Sequence, residues 1–291
     1  MANPTRRILI ATPLKGDLPS AYFKTSLQLA TAAIPDVKLD WVLLEGPAVQ
    51  MARNEIVGYA RQHKFDELVF WDKDVLAEEH GENMTAGAMM RLLGHTSDIV
   101  CCPYSARHLD THWHIHTIDG EAPSPEGLQK VSKACIGFSK IKMSVFDKIE
   151  ADNPDLKAVL IDPNHAPKAC TEFFPMGVQG KNTPAYRIQQ IRSIFADDKL
   201  SASARLQRIE RELNMRYDEP NTFIGEDYAF CDLAVKSGFT IYLDTMLVMG
   251  HTGKVTLPIP TLKLFELLRE PWRQEEIKAI KAAIAAKQPA V

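Results

Sequence analysis

Between Arg6 and Asp74 three apolar runs alternate with two segments of helical spacing, and that alternation leaves few folds open. "RILIAT", 7 to 12, reads as a buried strand closed by Pro13. Ser20 is placed to cap a segment in which Tyr22, Leu27, Leu29 and Ala30 would form an imperfect helical stripe. "VKLDWVLLEG", 37 to 46, gives a second strand. "AVQMARNEIVGYARQHKF" then sets Met51, Ile56, Val57 and Ala60 at near-helical spacing before a third strand in "DELVFWDKD". The sequence predicts an α/β fold, a mostly parallel sheet sandwiched by helices.

Further along, a helix is expected near 84–93, a strand in "DIVCCPYS" and a turn at "DGEAPSPEG". "VSKACIGFSKI", 131 to 141, reads as one strand and "KMSVFDKI" as a short helix. Residues 150–222 mix Pro and Asn loops with the aromatic "EFFPMG" and a helical region, and are expected to form a helical insertion. "GEDYAFCDLAVKSGF" reads as a helix ended by Gly238, "TIYLD" as a short strand and "MGHTGKV" as a Gly-flanked loop. A helical C-terminal tail is expected over 256–291, with a break at Pro271. One catalytic domain would span 1–255.

Composition narrows the function classes. A formal charge of −3 over 291 residues gives no global basic field for polyanions or membranes, so any such partner must meet a local patch. The five cysteines are odd in number and form no CxxC pair, against a disulfide framework or a structural zinc site; a cytoplasmic setting is expected. The N-terminal "RRILIATPL" is too short in its apolar core for a signal peptide, and no run approaches a membrane span of roughly 20 apolar residues.

The third strand ends on Asp72 and Asp74 with Lys73 between them. In an extended chain, residues 72 and 74 point to the same side, so both carboxylates would face one ligand. The bland alternative is a solvated, charge-rich turn. Two carboxylates of a glycoside hydrolase must stand roughly 5 to 9.5 Å apart across the sugar, which this spacing does not provide. Carboxylate ligands suit Mg²⁺ or Mn²⁺, and one added imidazole favours Mn²⁺.

Taken in order, "ILIATPLKGD", "ARNEIVGYA", "FWDKD", "ACIGFSKI", "GEDYAFCDLAVKSGF" and "HTGK" resemble the nucleotide-diphosphate-sugar glycosyltransferases of the GT-A fold, with "FWDKD" as the DxD motif. The likeness covers roughly residues 6–255, with 150–222 unmatched, and leans toward phage-encoded members. It implies a metal-dependent transferase using a uridine-linked sugar donor. It implies Asp74 and His251 as metal ligands, with Asp72 on the ribose or on the metal through water, and Lys254 on the diphosphate. Thr12, Pro13 and Leu14 would receive the nucleotide base, and Arg53 and Asn54 would lie near the donor.

Glu226 and Asp227 would supply catalysis, the aspartate as general base in an inverting enzyme. Carboxylates at a helix start are also favoured by its dipole alone. "RHLDTHWHIH" brings His108, His112, His114 and His116 together, as a polar loop by the site, an acceptor-facing surface or a second metal site.

Over 181–216, eight basic residues face four acidic ones, an excess of four positive charges in an acidic chain. Leu206, Ile209 and Leu213 would form an apolar stripe that turns Arg205, Arg208 and Arg211 to solvent. A solvated helix face explains this; so does a surface that tracks a phosphate backbone. With the phage likeness, the acceptor is expected to be a 5-hydroxymethylpyrimidine in double-stranded DNA, flipped from the stack, with "EFFPMG" as stacking surface. A glycan or protein acceptor, or a non-catalytic nucleotide-sugar-binding module, are the alternatives.

Overall fold

The computed structural model describes residues 5–251 apart from 15, 33, 47, 80–81, 105–114, 119, 161–167, 180, 182, 216, 218–221 and 248. The expected tail, 256–291, lies outside the described residues, as do Lys254, His108, His112 and His114.

The first half runs β1 (Arg6–Leu14), α1 (Ser20–Thr31), β2 (Val37–Glu45), α2 (Val49–Gln62), β3 (Glu67–Trp71), β4 (Val75–Leu76), β5 (Glu78–Glu79), β6 (Glu82–Asn83), α3 (Thr85–Gly94) and β7 (Ile99–Cys101). The second half adds β8 (His116–Thr117), β9 (Leu128–Lys133), β10 (Phe138–Lys142), α4 (Met143–Asp152), β11 (Lys157–Leu160), β12 (Lys168–Thr171), β13 (Gly177–Gln179), α5 (Pro184–Ala196), α6 (Ala202–Asn214), β14 (Thr222–Ile224), α7 (Glu226–Lys236), β15 (Ile241–Asp244) and β16 (Gly250–His251).

Eight strands form the central sheet in the order β2-β1-β3-β10-β7-β15-β9-β8. β1 pairs parallel with β2 and β3, and β7 parallel with β15, while β10 and β9 enter antiparallel to their neighbours. The sheet is therefore mixed, with β10 and β9 running against the other six. Alternation along the strands divides the core. Leu9, Leu68, Phe70, Ile99 and Ile141 face one side, against Ile56, Val57, Phe146 and Phe230 of α2, α4 and α7. Ile8, Ile10, Val69, Trp71 and Val100 face the other, against Tyr22, Leu29, Met89 and Leu92 of α1 and α3. Every residue of β3 is buried, as befits a central strand covered on both faces.

The single strand expected over 131–141 is in fact two. β9 ends at Lys133 and β10 starts at Phe138, and β7 and β15 lie between them in the sheet. A continuous apolar run hides the break, because Ala134, Cys135 and Ile136 are buried as deeply as a strand would be. α7 ends as expected: Gly238, at φ +88°, lets its own amide and that of Phe239 close on Val235 and Ala234.

The region 150–222 is not simply helical. α5 and α6 pack together, but β11 pairs with β12 and β13 with β14. Phe173 and Phe174 belong to the main core, where Phe174 stacks on Phe230 with centroids 4.9 Å apart. "EFFPMG" therefore offers no phenyl ring for a flipped base. Leu206 and Leu213 of α6 are 60% and 56% exposed, so the expected apolar stripe is not buried against the described residues. Arg205 instead reaches the carbonyl of Asp197, at 2.8 Å, and Arg187 binds the last carbonyls of α6.

Candidate functional site

The parallel strands bring their C-terminal ends to one edge of the sheet, the edge where open α/β sheets receive ligands. Asp72 follows the last residue of β3, and Thr12 to Leu14 end the adjacent β1. The strand does not continue through Asp74. Its amide ladder gives way to a turn in which Val75 N–H donates to Asp72 C=O at 3.0 Å. The same-side argument from an extended chain thus fails, and a turn sets the two carboxylates.

β4, directly after that turn, pairs antiparallel with β16, so that the backbone of His251 lies opposite Val75. A bridge between Tyr104 and Met249 holds the same segment from the other side. Lys73 Nζ donates to the carbonyl of Asp17 at 2.7 Å, tying the loop after β1 to the turn.

Arg53, on α2, joins these pieces to α7. Its side chain is 2% exposed and lies near the rings of Phe70 and Phe174, 5.6 and 5.8 Å from their centroids. Arg53 Nη2 donates to Asp72 Oδ2 at 3.1 Å; Nη1 donates to Asp227 Oδ1 and, at 3.4 Å, to Glu226 Oε1. Burial disfavours the guanidinium charge, but Asp227, Asp72, Tyr104 and Glu226 together more than offset this and raise its pKa. Asp72 is pushed up by burial, then by repulsion from Asp227 and Asp74, against the opposing pull of Arg53. Burial and the neighbouring Asp227 likewise raise Glu226. Three carboxylates thus share one buried guanidinium at the sheet edge.

Residues 136 and 137 complete the frame. Asp72 N–H donates to Gly137 C=O at 2.6 Å, Gly137 N–H donates to the Tyr104 hydroxyl at 3.1 Å, and Ile136 N–H donates to Asp227 Oδ2 at 3.1 Å. A Cβ on Gly137 would collide with the Tyr104 hydroxyl and with the Asp72 carboxylate, whose Cγ would lie 2.9 Å away. The glycine is needed for close approach. Gly137, Tyr104 and Ile136 were not among the expected site residues. The one sequence signal for them is a glycine placed where the apolar run must stop being a strand.

Thr12 is fully buried, its hydroxyl donating to Trp71 C=O at 2.7 Å and sharing a short contact with Tyr22. It locks β1 to β3. Pro13 and Leu14, which follow it, are half-buried. Tyr22 stacks on Trp71 with centroids 4.0 Å apart, and burial pushes its hydroxyl up to about 12. Asn54 turns away from the carboxylates: its Oδ1 accepts from the amides of Phe173 and Phe174 at 2.9 and 3.2 Å. His116 meets Tyr228, next to Asp227, with ring centroids 5.1 Å apart.

Among the described residues no group of three His, Cys, Asp or Glu side chains is arranged to hold a metal. A magnesium- or manganese-type ion does not require one, being commonly held by one or two carboxylates with substrate phosphates and water. Asp72 and Asp74 lie on one turn, and the backbone of His251 lies opposite Val75 directly after it. No helix among the described residues is long and apolar enough to cross a membrane.

No family model matches the chain, and no curated protein matches it. Among solved structures, the crystal structure of A197 from STIV aligns over 85% of this chain and 86% of its own, at 15% identity and a TM-score of 0.44.

Proposed function

We propose that the protein is a GT-A-like glycosyltransferase that moves a sugar from a nucleotide-diphosphate donor, uridine-linked, to an acceptor hydroxyl. The observation that carries this reading is convergence. Four pieces far apart in sequence, α2, the 72–74 turn, the start of α7 and the 250–251 strand, meet at the C-terminal edge of β1 and β3. A transferase needs there a donor site, a means of neutralising the departing diphosphate and a proton acceptor.

In this reading Asp74 and His251 would hold Mn²⁺ or Mg²⁺, with Asp72 beside them. When bound, the ion would neutralise charge that builds on the diphosphate. Pro13 and Leu14 border the place for the base. The acidic pair at the head of α7 faces the acceptor, with His116 and Tyr228 on its flank. For the acceptor, DNA bearing 5-hydroxymethylpyrimidines is the first choice; Arg192, Lys199 and Arg211 keep exposed charge on the α5–α6 unit, which supports it.

The test is Asp74→Ala, read by donor binding and by turnover. With UDP at a hundredfold excess over Kd, Mn²⁺-dependent binding stabilises the wild type by about 2.7 kcal/mol, visible as a rise in Tm. The variant is expected to lose that rise and to transfer no sugar to hydroxymethylated DNA or to a panel of glycan acceptors. Undiminished turnover in the variant would refute the assignment.

A further inference from the structure

α5 and α6 form an antiparallel hairpin, fastened at its open end where Arg187, near the start of α5, donates to the carbonyls of Glu212 and Leu213 at 2.7 and 2.9 Å. Four large apolar side chains of the hairpin nevertheless stay in solvent. Ile188 and Phe195 of α5 are 51% and 61% exposed, and they are matched by Leu206 and Leu213 of α6. Each of the four directly follows a half-buried residue, in turn Arg187, Ile194, Arg205 and Glu212. One residue is a rotation of about 100° around the helix axis. Both apolar rows therefore leave the seam between the helices in the same rotational sense, and in antiparallel neighbours that sense leads to the same side. Arg208 and Arg211 instead precede half-buried residues and turn to the opposite side.

The hairpin is thus apolar on one side and basic on the other. Among the described residues no side chain of α6 is buried. Helices in proteins draw most of their stability from burying such a stripe, so the apolar side requires an occupant.

The rest of the chain supplies one. The described chain ends at His251, opposite Val75, and Val75 is held to Asp72, which shares Arg53 with Glu226 at the head of α7. Glu226 lies two residues beyond the end of β14, and β14 pairs with β13, the strand that leads into α5. The exit of the chain and the root of the hairpin therefore border the same site. Residues 252–261, with Pro258 and Pro260, favour an extended linker that spans up to about 33 Å. Beyond it, helical projection of 262–270 sets Leu264, Phe265, Leu267 and Leu268 on one half, and Lys263, Glu266, Arg269 and Glu270 on the other. Nine helical residues cover about 13 Å, enough for rows whose members stand about 10 Å apart.

Charge separates this segment from a second copy of the hairpin. Residues 184–214 carry six basic side chains against four acidic, so two hairpins repel; residues 262–276 carry four acidic against three basic. Arg192 and Glu210, each following a half-buried residue, rim the apolar side and offer one partner of each sign. We propose that residues 262–270 of the same chain lie along the seam between α5 and α6 and complete a three-helix unit. Docked there, the segment ties the β16 flank of the site to its β13–β14 flank.

Hydrogen exchange read by mass spectrometry on the full-length protein provides the test, with sedimentation velocity at low and high protein concentration. Leu206→Asp/Leu213→Asp is expected to speed exchange across 262–270 at least about tenfold, and Phe265→Asp/Leu268→Asp to do the same to α5 and α6, because exchange follows local opening. Leu206→Ala/Leu213→Ala keeps α6 helical and is expected to give a smaller rise in the same segment. Arg211→Ala, on the opposite side, is expected to leave that segment within about twofold of wild type. The proposal is overturned if 262–270 exchanges in the wild type as an unstructured chain does, or if either side ignores substitutions in the other. A reciprocal response confined to a dimer that forms as concentration rises also overturns it, and assigns the apolar side to a second copy.

Discussion

Replacing Arg53 with methionine tests the electrostatics of the site most directly. The substitution keeps much of the apolar stem against Phe70 and Phe174 and removes the guanidinium that Asp72, Glu226 and Asp227 share. Breaking a buried ion pair by deleting one partner costs roughly 3–5 kcal/mol. Here the carboxylates are 24%, 18% and 21% exposed and can recover some hydration, which lowers the figure to about 2–3 kcal/mol. Loss of two ring contacts adds about 0.5–1 kcal/mol each. The expected total, about 3–5 kcal/mol, is a large share of a stability of roughly 5–15 kcal/mol.

This deficit should depend on pH, and its sign follows from the raised carboxyls. Asp72 and Glu226 have folded pKa values above their ordinary ones, so each contributes stability that is full at low pH and lost as pH rises through the folded value. Arg53 opposes both shifts, so removing it raises both values further. The variant therefore loses more on going from acid to neutral pH than the wild type does. Urea unfolding of both proteins at pH 5 and pH 8 measures it: the gap between them should be wider at pH 8. An equal gap at the two pH values, or one under about 1 kcal/mol throughout, would refute the shared-cation account.

Other outcomes follow from single contacts. Gly137→Ala should cost about 1–3 kcal/mol from overpacking against Tyr104 and Asp72 and should reduce donor binding, checked by unfolding and by calorimetry with UDP and Mn²⁺. Asn54→Ala leaves the amides of Phe173 and Phe174 without their acceptor and should destabilise by about 1–3 kcal/mol while UDP binding at saturating Mn²⁺ is kept. Asp244→Ala strips a fully buried carboxylate from Arg91 and His95, at 2.7 and 2.6 Å, and should cost about 3–5 kcal/mol by urea unfolding.

The strands and helices of the first 75 residues were readable because their signals are local: alternation along β1 and β3, and one apolar face on α2. The division of 131–141 into two strands was not, since it depends on β7 and β15 arriving from distant sequence to separate them. The role of Phe173 and Phe174 was hidden for a related reason. Nothing near them in sequence announces that Phe146 and Phe230 will enclose them. At the site, Asp72 stood out as a charge ending an apolar strand, but its link through Arg53 to Asp227 spans 174 positions and leaves no pattern in the chain. Arg53 and Asn54 are neighbours on one helix, yet one serves carboxylates and the other a backbone turn; only the packing around α2 separates them.

The insertion of β10 beside β3 bears on how the chain is made. Until residues 138–142 emerge, the outer edge of β3 has no strand to pair with, although both its faces are destined for the interior. Synthesis of the intervening stretch takes roughly 4–14 s at about 5–20 residues per second. During that interval the nascent protein presents an unsatisfied, largely apolar ribbon, so chaperone engagement and aggregation on the ribosome should peak for chains arrested between Asp72 and Lys142 and fall once β10 is available.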